Sequence, residues 1–108
     1  MHITNFNELD LTGADGEDIT IAVNKSTNDP LIAYTLNGKT FAGGTFKLDK
    51  TVFPVFKLLA TTLYKTDSGG SVELQVTGSS LGGDVSTHDE VQAPGEAFDV
   101  AMYRIVIV

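Results

Sequence analysis

Short apolar segments of alternating pattern, each cut off by a glycine cluster, constrain this chain more than any other feature. Ile19, Ile21 and Val23 interleave with Thr20, Ala22 and Asn24, a period of two that gives an extended strand one apolar face. The acidic turn Asp15-Gly16-Glu17-Asp18 leads into it and reads as a capped or hydrated turn. Further along, residues 31–36 and 39–41 flank Asn37-Gly38. That dipeptide accepts positive φ at both central positions and so predicts a type I′ hairpin. Ala42-Gly43-Gly44 closes this unit and frees residues 45–48 as another short strand, and residues 72–76 alternate Val-Glu-Leu-Gln-Val as a further one. The 11 glycines cluster with Thr, Ser, Asn and Asp at the breaks, the punctuation of an antiparallel β domain.

Residues 52–65 carry two patterns. Val52, Val55, Phe56, Leu59 and Leu63 share a helical face, and Pro54 is tolerable in a first helical turn. Thr61-Thr62-Leu63-Tyr64 is instead rich in strand formers and precedes an evident strand. The strand reading is preferred, as a hairpin with residues 72–76, with one short helix within 52–65 as the alternative. Residues 78–95 lack periodicity and read as one long loop, the first place to seek a site. The chain closes on residues 98–108, whose last four are Ile-Val-Ile-Val. Apolar residues on both faces make this strand either central to a two-sheet core or covered by another subunit.

The expected fold is therefore all-β: one antiparallel β-sandwich domain over residues 1–108, Greek-key or jelly-roll-like, with about seven or eight strands. A length of 108 residues fits one two-layer core. Apolar content of 42% outweighs a net charge of −7 as an argument about order. With no cysteine, disulfides, thiolate metal sites and Cys nucleophiles are excluded. The N-terminus has no basic segment followed by an apolar one, and no apolar run reaches membrane-spanning length. The expectation is a cytoplasmic protein or one assembled into a particle, with no membrane partner.

Charge is segregated along the chain. Residues 1–24 hold five acids and no Lys or Arg, and residues 66–103 hold seven acids and again none. Residues 25–65 carry six of the seven cations against Asp29 and Asp49, a net of +4. Such a chain suits cationic protein partners or copies of itself, and its acidity opposes nucleic acid. A cationic middle meeting the acidic arms of a neighbour would make a homo-oligomer.

Candidate chemistry is sparse. Asp84, His88, Asp89 and Glu90 form the one cluster with ligand types for a metal. The carboxylates suit Ca²⁺ and the imidazole a transition metal, but their order matches no EF-hand. A solvated acidic loop is the simpler reading, and no cofactor is otherwise implied. Asn28, Asp29 and Tyr34 are candidates for holding a carbohydrate, with the ring as platform. Aromatic residues on half-buried strands more often fill the core, which applies equally to Phe41 and Phe46. No nucleophile elbow appears, and Asp89 and Glu90, neighbours on an extended backbone, point to opposite sides and so seldom work as a pair. The expected function is non-catalytic: a structural or interaction module that self-associates, with a small carbohydrate- or Ca²⁺-dependent binding module as the alternative.

Overall fold

A computed structural model describes residues 5–26, 31–63, 70–83, 87–92 and 98–108; for residues 5, 6, 70, 87–92 and 98 the description is of the backbone. Among the described residues ten strands follow in chain order: β1 (Asn5–Gly13), β2 (Asp18–Lys25), β3 (Leu31–Leu36), β4 (Lys39–Phe41), β5 (Thr45–Lys47), β6 (Val55–Leu63), β7 (Gly70–Thr77), β8 (Gly82–Gly83), β9 (Thr87–Gln92) and β10 (Phe98–Ile107). They form a six-stranded sheet in the order β4-β3-β6-β10-β1-β8 and a four-stranded sheet in the order β5-β2-β7-β9. The protein is a β-sandwich, antiparallel throughout except where β1 runs parallel to β10. Strands beyond the expected seven or eight are short ones, of two or three residues in β4, β5 and β8.

Chain order and sheet order are interleaved. Among the described strands, β3 and β4 are the only sequence neighbours paired in one sheet; every other connection passes between sheets. Asn37 has φ 50° and Gly38 φ 82°, so the one true hairpin turns as its Asn-Gly predicts. Residues 55–63 are strand rather than helix. With β3 on one side and β10 on the other, the ladder satisfies backbone groups on both edges, and this pairing overrides the helical spacing of Val55, Phe56, Leu59 and Leu63. The expected hairpin of this segment with residues 72–76 does not form, because β6 lies in the larger sheet and β7 in the smaller. Both are long and apolar, and each occupies an interior position. The single long loop expected over residues 78–95 is also replaced, since β8 and β9 lie within it.

The core lies between the sheets. From the smaller sheet come Ile19, Ile21, Val72, Leu74 and Val76, and from the larger Leu11, Phe56, Leu58, Tyr103, Ile105 and Ile107. Tyr103 is the largest fully buried side chain, and its hydroxyl donates to the Leu74 carbonyl of the opposite sheet at 3.5 Å. Ring contacts run from Tyr34 through Phe41, Phe46 and Phe56 to Phe53, with centroids 5.6 to 6.4 Å apart, the separation favoured by aromatic pairs. The terminal strand β10 is central in its sheet, flanked by β6 and β1.

Candidate functional site

Asn28, Asp29 and Asp84 lie outside the described residues. His88, Asp89 and Glu90 are successive residues of β9, with Cα partners Leu74, Glu73 and Val72 on β7. Backbone carbonyls of a paired strand are partly committed to the ladder, unlike those of a loop wrapped around a cation. Among the described residues no group of three His, Asp or Glu side chains converges as a metal site would require. Tyr34 is half-buried against the core, edge-on to Phe41 at 6.4 Å. Burial pushes its hydroxyl pKa up.

The acidic turn between β1 and β2 is a structural clamp. The Glu17 carboxylate accepts hydrogen bonds from the Ser79 hydroxyl at 2.9 Å, the Ser80 hydroxyl at 2.7 Å and the Ser80 backbone N–H. Burial acts to raise the Glu17 pKa, but these bonds to the charged form outweigh it and hold the group below its ordinary value of 4.5. Beside it, Lys47 pairs with Asp18 at 3.1 Å, and Asp15 accepts from the Lys50 backbone N–H at 2.8 Å. One cation of the middle segment, Lys47, thus meets an acid of the N-terminal arm within one molecule. These contacts tie the β1–β2 turn to the segment after β7 and the segment after β5.

The outer face of the larger sheet is built differently. Alternation along β6 turns Phe56, Leu58, Ala60 and Thr62 inward and Val55, Lys57, Leu59, Thr61 and Leu63 outward. On β10, Met102, Arg104 and Val106 lie on the same outer face. Register places Leu59 beside Met102 and Val55 beside Val106, and Leu31 of β3 beside Leu63. Between the apolar rows runs one charged row, Lys57–Arg104–Asp10 across three adjacent strands, with Arg104 and Asp10 in contact at 3.8 Å.

An open concavity of about 530 Å³ indents this face, lined by Thr35, Asn37, Gly38, Phe53, Pro54, Val55, Lys57, Leu59 and Met102. Two local devices shape it. At the hairpin, the Asn37 backbone N–H donates to the Lys57 carbonyl and the Lys57 N–H donates to Asn37 Oδ1, both at 2.9 Å, which locks the turn to β6. At the other wall, Asp49 Oδ1 accepts from the Thr51 hydroxyl at 2.6 Å and the Thr51 N–H at 2.9 Å. These bonds lower the Asp49 pKa and form the turn that presents Phe53, which stays 38% exposed.

Sequence reasoning did not propose Phe53, Leu59 or Met102 as site residues. Their signal was present: residues 55–63 carry apolar side chains at both odd and even positions, the same two-faced pattern noted at the C-terminal strand. Comparison of the chain with protein-family models, with curated proteins and with solved structures finds no match. The arrangement presents contact surface of three kinds. It offers an apolar floor, an exposed ring, and charges of both signs in fixed register.

Proposed function

We propose that this protein is a non-catalytic interaction module that self-associates, as a subunit of a particle or appendage does. The observation that carries this reading is the outer face of the six-stranded sheet, where apolar side chains of β6 and β10 stay partly exposed beside the exposed Leu31 and Phe53. Contiguous apolar surface on a sheet face costs solubility unless something covers it. The acidic balance of −7 opposes random clumping of such a surface and leaves specific docking as its use.

A second reading, a small-ligand module for a carbohydrate or a Ca²⁺-bridged ligand, has the concavity at Phe53 in its favour. Open clefts with a ring and a few polar groups are where small molecules bind. Molar mass by light scattering across a concentration series, at low and high salt and with Ca²⁺ or EDTA, separates the two. Self-association gives a mass above 11.5 kDa without any additive. A monomer under every condition, with thermal stabilisation by a sugar or Ca²⁺, would replace the first reading with the second.

A further inference from the structure

We infer that two copies of this chain pair through the outer face of the six-stranded sheet about a two-fold axis that runs along β10. The inference rests on the self-associating reading and gives it a surface and a symmetry. Lys57 on β6 and Asp10 on β1 stand in one row on either side of Arg104. A two-fold along β10 exchanges the two flanks, so Lys57 of each copy lies over Asp10 of the other. Among the described residues Lys57 makes no ion pair of its own. The same operation stacks Met102 and Val106 on their own counterparts, apolar on apolar, and sets Arg104 against its counterpart, a like-charge contact offset by the Asp10 that each Arg104 holds within its own chain at 3.8 Å. Glu8, which pairs in register with Met102, is exposed and supplies a second acid beside Asp10. The face therefore carries two cations and two acids around its apolar rows and approaches neutrality although the chain is strongly acidic. Two copies therefore repel less through this face than the net charge of −7 alone would dictate.

Aligned packing of twisted sheets at about −30° needs the axis only about 15° from the strand direction. About an axis on β10 the full-length strands that overlie one another are β6, β10 and β1, which span about 14 Å, and nine residues extend about 30 Å. That footprint belongs to the small end of specific interfaces, so the dimer should dissociate in the micromolar range rather than the nanomolar. A face-to-face pair consumes the surface and closes, giving dimers rather than filaments.

The test uses sedimentation equilibrium and single-cysteine cross-linking on the full chain, which has no cysteine of its own. Lys57→Glu and Asp10→Lys should each weaken the dimer about tenfold or more, and the double variant Lys57→Glu/Asp10→Lys should recover most of that loss. Met102→Cys, on the axis, should be joined into a covalent dimer by a short bis-maleimide that spans the roughly 10 Å between facing sheets. Thr61→Cys should not, because two-fold partners one strand off the axis are about 10 Å apart laterally as well. Circular dichroism confirms that these outer-face variants fold. Association that persists unchanged in both charge variants, or cross-links through Thr61→Cys in preference to Met102→Cys, overturns the assigned surface while self-association stands. A monomer at every concentration up to about 1 mM overturns both, since an interface of this size still associates there.

Discussion

Adjacent residues of β10 meet opposite surroundings. Ile105 points between the sheets and is fully buried, packed with Leu11, Phe56 and the rest of the core. Val106, one step along, faces outward beside Val55 and remains partly exposed. Both are branched and apolar, and both sit on a strand with neighbours on each side. What separates them is the second sheet, which covers one face and leaves the other to solvent or to a partner. A strand that is apolar on both faces therefore carries two different commitments: one is met by folding, and the other is the one that the proposed self-association would meet.

That contrast can be broken most severely at its inner side. Ile105→Ala leaves a cavity in a closed core and should cost about 3–5 kcal/mol, read as a lower denaturant midpoint with little change in slope. A loss under about 1 kcal/mol would mean that the inner face is no better packed than the outer. Next comes the edge of the same sheet. Gly83 has φ 113°, and a Cβ there would stand 2.5 Å from the Asp10 carbonyl oxygen. Gly83→Ala should destabilise by about 2–3 kcal/mol through strain and backbone clash, and amide exchange should show the loss concentrated at Leu11 and Thr12, the partners of β8. Uniform loss of protection would place the effect elsewhere.

The Glu17 clamp is a smaller term, set by hydrogen bonds rather than packing. Glu17→Gln keeps the shape and removes the charge, and should cost about 1–2 kcal/mol at pH 7. Because the folded pKa is depressed, the stabilisation is complete above the unfolded value of 4.5 and fades as pH falls through the lower folded value. The wild-type protein should thus lose its advantage over Glu17→Gln on acidification below about pH 4.5. Parallel pH profiles for the two proteins would show that the carboxylate charge contributes nothing. Smallest of all is the outer face. Val106→Thr, close in volume, should change the stability of the isolated chain by about 0.5 kcal/mol or less. Its effect belongs in the association constant instead, and a large stability loss would show that Val106 is core.

Much of the architecture can be read along the chain. The alternation at residues 19–23 and 72–76, the Asn37-Gly38 turn and the break at Gly43-Gly44 each report local backbone geometry, and each appears in the structure at the expected place, whereas Gly82-Gly83 form β8 instead of a break. Local pattern also made the class evident, since strand-length apolar runs with such punctuation have few other ways to bury a face. What failed was partner choice. The apolar runs of β6 and β7 are as compatible with a hairpin as with the opposite sheets they occupy, because alternation states which face is apolar and not which strand lies alongside. Residues 87–92 were likewise illegible as a strand. Thr-His-Asp-Glu-Val-Gln has no apolar period, and pairing with β7 supplies the order that its own sequence lacks.

The candidate surface divides along the same line. From the residues alone follow the two-faced terminal strand, the acidic balance and the cations gathered in the middle of the chain. Only tertiary structure decided that β10 is flanked by β6 and β1, that Lys57, Arg104 and Asp10 fall in one row, and that Phe53 stands at the edge of the apolar floor. These depend on register between strands distant in sequence, where a shift of one residue would turn every side chain to the other face. Side-chain chemistry is local and can be read from the chain one residue at a time; the sharing of a face is decided by long-range pairing that no local pattern encodes.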